Sequence, residues 1–154
     1  MKANNGKGNN ESRDSWETPQ WLFDKLTKQY NFQIDACANY KNKKCEMFYS
    51  KETSFLSDVF WNYTYWMNPP FSKAKEMFEQ FFKIVTKGVA IYRCDNMETK
   101  IWQEIILPNV DWIFIPKGRI SYEGMEGNGS RFPSALVGVG VKPPKNLEGT
   151  TLLK

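Results

Sequence analysis

An apolar run, Tyr65-Trp66-Met67, stops at Asn68-Pro69-Pro70-Phe71, and a helix-forming stretch follows from Ser72. Proline fixes its own φ, lacks an N–H and pushes the preceding residue out of the helical region. Two in succession cannot continue a strand ladder or sit inside a helix. The chain is therefore expected to leave a buried strand at Met67, make a stiff extended turn, and enter a helix capped by Ser72. That strand–turn–helix unit is the building block of α/β sheets, whose ligands sit outside the carboxyl ends of the strands.

The rest of the pattern agrees. Thr18-Pro19 reads as a helix start, with Thr18 as N-cap and Pro19 in the first turn, and Trp21, Leu22 and Leu26 share one helical face. Phe32-Gln33-Ile34 alternates and ends at Asp35 as a short strand. Residues 39 to 54 read as a long connection carrying Lys41, Lys43, Lys44 and Lys51. The helix from Ser72 bears Met77, Phe78, Phe81, Phe82 and Val85 and is closed by Gly88; Val89 to Tyr92 is a strand. Glu98 to Leu107 is a helix ended by Pro108, and Trp112 to Ile115 a further strand. Arg119 to Tyr122, a turn rich in glycine at Gly124, Gly127 and Gly129, and Ser134 to Val141 read as a terminal hairpin. The expected fold class is α/β: one sheet with helices on both faces and an antiparallel C-terminal hairpin. Residues 1–15, polar and rich in Asn, Gly and Lys, read as a disordered tail, and 16–154 as one domain.

Composition narrows the chemistry. The chain has 154 residues, 41% hydrophobic, and a formal net charge of +4. That suits one core and is compatible with a polyanionic partner. It has no histidine, so catalytic Ser-His-Asp and Cys-His arrangements and histidine metal sites are excluded. Cys37, Cys45 and Cys94 fit neither a disulfide framework nor a zinc spacing, which suggests a reducing compartment. No run is long enough for a membrane helix. The expected setting is the cytoplasm.

What remains is chemistry needing neither metal nor strong base. The Asn68 side-chain oxygen and the Pro69 carbonyl can both accept hydrogen bonds from one –NH2 group, while Phe71 offers a face for stacking. Accepting both amino protons draws the nitrogen toward tetrahedral geometry with its lone pair outward, as attack on an electrophilic methyl group requires.

Asn68-Pro69-Pro70-Phe71 resembles the (D/N/S)-P-P-(Y/F) motif of S-adenosylmethionine-dependent amino methyltransferases. More of the chain resembles one branch, the phage-type DNA N-6-adenine methyltransferases. The matching pieces are Trp16-Glu17-Thr18-Pro19-Gln20-Trp21-Leu22-Phe23-Asp24-Lys25-Leu26, Phe32-Gln33-Ile34-Asp35-Ala36-Cys37-Ala38, Trp66-Met67-Asn68-Pro69-Pro70-Phe71 and Phe132-Pro133-Ser134-Ala135. They span about residues 14 to 141, in the family's order. The resemblance implies a Rossmann-like methyltransferase fold, S-adenosyl-L-methionine as cofactor, double-stranded DNA as partner and, for a phage protein, a bacterial host's cytoplasm. It implies catalysis by Asn68, Pro69, Pro70 and Phe71. Trp16, Thr18, Pro19, Asp35, Ala36, Cys37 and Ala38 would bind the cofactor, Asp35 pairing with its ammonium and Thr18 helping to hold its carboxylate. Where the family shows an acidic D-x-L, this chain has Ser54-Phe55-Leu56. Asp58 is the expected substitute on the cofactor, with Glu52 the other choice. Lys73, Lys75, Arg119 and Arg131 are the expected nucleic-acid contacts, and the loop from Gly124 to Ser130 could enter a groove. The target adenine must be flipped out of the duplex to be reached.

Other readings stay open on sequence grounds. The tetrapeptide also resembles motifs of RNA adenine and protein glutamine methyltransferases, and cytosine N4 usually goes with Ser in place of Asn68. A nucleic-acid-binding module without catalysis is the reading from another class.

Overall fold

Seven strands form one sheet in the order β2-β1-β3-β4-β6-β5-β7. They are β1 Ile34–Asp35, β2 Met47–Phe48, β3 Thr64–Met67, β4 Lys87–Arg93, β5 Trp112–Pro116, β6 Ser134–Val139 and β7 Gly149–Leu153. The structure, a computed structural model, describes residues 16–51, 53–58, 61–124 and 132–153. Helix α1 is Gln20–Tyr30 and α2 is Ala74–Ile84. A π-helical stretch, Ile101–Ile106, runs on into the α-helical turn Leu107–Asn109, the two together being α3. Among the described residues no helix is long and apolar enough to cross a membrane.

The pairs β2–β1, β1–β3 and β3–β4 are parallel, while β4–β6, β6–β5 and β5–β7 are antiparallel. Alternation along the central strands supplies both faces of the sheet. Tyr65, Met67, Ala90, Ile113 and Val137 pack with Met77, Phe78 and Phe81 of α2 and with Trp102 and Ile106 of α3. Their neighbours Trp66, Val89, Ile91, Trp112, Phe114 and Leu136 pack with Leu22, Phe23 and Leu26 of α1. This is the Rossmann-like α/β architecture expected, with helices on both faces.

The topology fixes the place of a site. After β1 the chain moves outward to β2, then returns to β3 on the other side of β1. The border of β1 and β3 is therefore the switch point, where a crevice opens at the carboxyl ends. Asp35 ends β1 and pairs with Trp66, two residues before Asn68.

Several local expectations shift. The N-cap of α1 is Pro19, without a side-chain bond, and not Thr18. Thr18 lies one residue too early for its hydroxyl to serve the first turn; the Gln20 N–H donates instead to Glu123 Oε1 at 3.1 Å. Ser72 is likewise not a cap, because Phe71–Lys73 forms a 3-10 turn and α2 starts after Lys73. Gly88 lies inside β4. Residues 119–122 alternate like a strand, with Ile120 and Tyr122 buried, yet join no ladder. Both edges of β6 are already taken, by β4 and by β5, so β5 is the first arm of the antiparallel hairpin. Glu123 alone bridges, to Glu17. The edge strands β2 and β7 were not anticipated, being short and without an apolar alternation. The N-terminal tail and residues 125–131, with Gly127, Gly129 and most of the expected groove-entering loop, lie outside the described residues, as does Glu52.

Gly138 shows how tightly the antiparallel half is packed. A Cβ there would run into the Trp112 indole, which is buried and donates from Nε1 to the Val141 carbonyl at 2.7 Å. Gly138→Ala is expected to lower unfolding stability by about 2 kcal/mol, read as an earlier urea midpoint with an unchanged m-value.

Candidate active site

Asn68 leaves β3 where the ladder ends, and its side chain is oriented by the segment before α1. Its Nδ2 donates to the Trp16 carbonyl at 3.3 Å and to Thr18 Oγ1 at 3.1 Å. A carbonyl can only accept, so the amide nitrogen must face Trp16 and Oδ1 must face away. Asn68 lines a cavity of about 750 Å³ at the carboxyl ends of β1 and β3. Thr18 is 2% exposed and stands in the wall of the same cavity. Thr18→Val removes one of the two acceptors that orient Asn68. It is expected to cost the fold about 1 kcal/mol, read as a lower midpoint of thermal unfolding.

Asp35 is 3% exposed and stands in the same wall. Its Oδ1 accepts from the Cys37 N–H at 3.2 Å and its Oδ2 from the Lys44 N–H at 3.0 Å. Burial raises its pKa to about 6, outweighing those two bonds and the nearby Lys44 charge. The site thus holds a carboxylate that is costly to keep ionised and gains from a cation. Burial and the Asp35 charge push the Cys37 thiol well up, away from the thiolate form.

Of the other expected residues, Trp16, Ala36, Cys37, Ala38, Pro70 and Lys73 also line the cavity, and Pro19, Pro69, Phe71, Lys75 and Arg119 do not. Pro70 is extended at φ −62° and ψ 138°, and its carbonyl accepts from the Lys73 N–H at 3.0 Å, so that acceptor is already used. Phe71 lies beside the cavity, in an aromatic group with Trp16 edge-on at 5.7 Å, Phe132 edge-on at 5.5 Å and Tyr92 at 6.1 Å. Lys75 is exposed and paired with Glu79 at 3.7 Å, Arg119 is exposed, and Arg131 lies outside the described residues.

Asp58 is not in the cavity wall. It accepts from Trp61 Nε1 at 2.7 Å and from the Tyr65 hydroxyl at 3.2 Å, and it bonds Tyr49 as well. Ser54, Phe55 and Leu56, which stand where an acidic D-x-L was expected, line the cavity themselves, with Tyr49 and Met77. Sequence reasoning missed Tyr49, Phe55 and Met77, because apolar residues at such spacings read as core. It also missed Glu123, whose partners Gln20 and Glu17 lie about a hundred positions away.

The chain matches the family model for DNA N-6-adenine-methyltransferase (Dam) over residues 5–135. It is also similar to a protein of Escherichia phage T1 described as a DNA N-6-adenine-methyltransferase, with 42% identity over 64 residues. That stretch is 40% of this chain and 26% of the phage protein, so the match spans about a quarter of the relative's length. With most of its length matched by the family model, this chain belongs to the DNA N-6-adenine-methyltransferase (Dam) family.

Proposed function

We propose that this chain transfers a methyl group from S-adenosyl-L-methionine to N6 of a flipped adenine in double-stranded DNA. The observation that carries the reading is the Asn68 amide, tied by its nitrogen to Trp16 and Thr18 so that an acceptor oxygen is presented at the carboxyl end of β3.

The residues of the cavity fit the cofactor. Its volume, about 750 Å³, suits a small molecule. Asp35 provides a buried anion for an ammonium, and Ala36 and Ala38 allow the backbone to approach closely. The Thr18 hydroxyl accepts from Asn68, which leaves its own proton for a carboxylate near the amino end of α1. Tyr49, Phe55, Leu56 and Met77 offer apolar surface for a purine ring. When bound, the cofactor supplies an electrophilic methyl group on a sulfonium.

The chain's own groups act on the acceptor. Asn68 Oδ1 and the Pro69 carbonyl each accept a hydrogen bond from the exocyclic amino group, aiming its lone pair outward; once the nitrogen has gained the methyl group, one of its protons leaves to solvent. The same two oxygens stabilise the positive charge that develops on that nitrogen. Phe71 holds the base by stacking, and fixed groups spare the reaction any reorganisation. Lys73 at the cavity rim, with Lys75, Arg119 and Arg131, meets the phosphates. The setting proposed is the cytoplasm of a bacterial host.

Incubation with methyl-labelled cofactor and, separately, duplex DNA, RNA and a protein mixture tests this reading. Label should enter DNA alone. Label in RNA or protein with none in DNA contradicts the substrate assigned.

A further inference from the structure

Arg93 ends β4, the strand next to β3, so its side chain leaves the sheet close to the Asn68-Pro69-Pro70-Phe71 turn. Its guanidinium carbon lies 4.7 Å from the centre of the Phe132 ring and 5.9 Å from that of Phe71. Asp95 grips it with two bonds, Nε to Oδ1 at 2.8 Å and Nη2 to Oδ2 at 2.6 Å. A two-bond fork fixes the plane of the guanidinium as well as its position. Trp16 completes the group, stacked on Phe132 at 5.8 Å. The hydrogen bonding from Arg93, helped by its charge and more weakly by that of Arg119, holds the Asp95 carboxyl below the usual range against the effect of burial. Arg119 therefore belongs to the same neighbourhood.

A solvated ion pair would contribute little. This pair differs in three respects. It is bidentate, the Arg93 side chain is only 24% exposed, and its guanidinium lies within about 6 Å of the centres of two rings beside the proposed methyl-transfer site.

We propose that Arg93, fixed by Asp95, is a positioning residue for the acceptor base: it holds the buried Phe132 ring as a rigid backing for the half-buried Phe71 ring, against which the extruded base stacks. This inference rests on the function proposed above. A backing of this kind acts on the bound base before and during methyl transfer alike, so its loss should appear in KM for DNA and not in kcat. It should not touch cofactor binding, since neither Arg93 nor Asp95 lines the cofactor cavity.

The test compares the wild-type chain with Arg93→Met, Arg93→Lys and Asp95→Asn. Cofactor affinity is measured by calorimetry. Methyl transfer to long unmethylated duplex DNA is measured at saturating cofactor. Arg93→Met should raise KM for DNA about tenfold. Arg93→Lys, which keeps the charge without the fork, and Asp95→Asn, which loosens the fork, should each raise it about threefold. Cofactor Kd and kcat should stay within about twofold of wild type. If Arg93→Met does not fold, the other two variants carry the test. KM for DNA unchanged in every folded variant overturns the inference, as does cofactor affinity falling in step with KM. A wild-type chain that transfers no methyl to DNA overturns the proposed function, and this inference with it.

Discussion

Asn68→Ala is expected to lower kcat for methyl transfer to DNA by about a hundred to a thousandfold while leaving cofactor affinity nearly intact. The size follows from what loss of one preorganised polar group costs where charge develops in a transition state. Two losses combine in this variant. The acceptor for one amino N–H disappears, and the Trp16 carbonyl and the Thr18 hydroxyl lose the donor they share. Asn68→Asp separates them. It keeps an acceptor but removes both donations and sets a carboxylate against the Trp16 carbonyl. It should retain roughly ten times more activity than Asn68→Ala, measured under single-turnover conditions. Equal rates for the two variants would mean that the bonds from Asn68 to Trp16 and Thr18, and not the acceptor, set the rate.

Asp35→Asn is expected to weaken cofactor binding by about a hundredfold, because a buried carboxylate loses its charge where an ammonium is proposed to sit. Stability should respond quite differently. Burial raises the Asp35 pKa from 3.8 to about 6 in the folded chain. Between those values the folded chain binds more protons than the unfolded one, so this group makes folding less favourable as pH rises through that window. Above about pH 6 the ionised side chain costs the fold on the order of 3 kcal/mol. Asparagine removes that cost but leaves either the Cys37 or the Lys44 N–H without an acceptor, a loss of about 1–3 kcal/mol. The two effects oppose each other, so stability at neutral pH should change by no more than about 2 kcal/mol. Wild-type cofactor affinity should fall about tenfold per pH unit below pH 6, and that of Asp35→Asn should stay flat. Calorimetric titrations at several pH values, beside urea melts, measure both.

Legibility in the sequence tracked how local the physics was. The turn at Asn68-Pro69-Pro70-Phe71 was readable because two prolines leave the backbone few choices. Asp35 at the end of β1 was readable because a short apolar alternation stops there. Both landed in one cavity wall because the sheet reverses its order between β1 and β3. Thr18 was misread as a cap since the right residue types stood one position early, and its hydroxyl instead receives a bond from a residue fifty positions on. Residues 119–122 had the alternation of a strand but no free ladder to join. Asp58 was chosen for its charge, and the structure spends that charge on Trp61, Tyr65 and Tyr49. Arg93 escaped notice because its significance depends on Phe132, thirty-nine positions away in sequence.

Methyl transfer to adenine N6, oriented by Asn68, is the reaction proposed. Its most direct test is to incubate unmethylated duplex DNA with the purified chain and methyl-deuterated cofactor, digest the DNA to nucleosides, and weigh the products by mass spectrometry. The prediction is deuterated N6-methyl-deoxyadenosine from the wild-type chain, and at least a hundredfold less from folded Asn68→Ala. Label absent from adenine, found instead on cytosine, or undiminished in Asn68→Ala would contradict it.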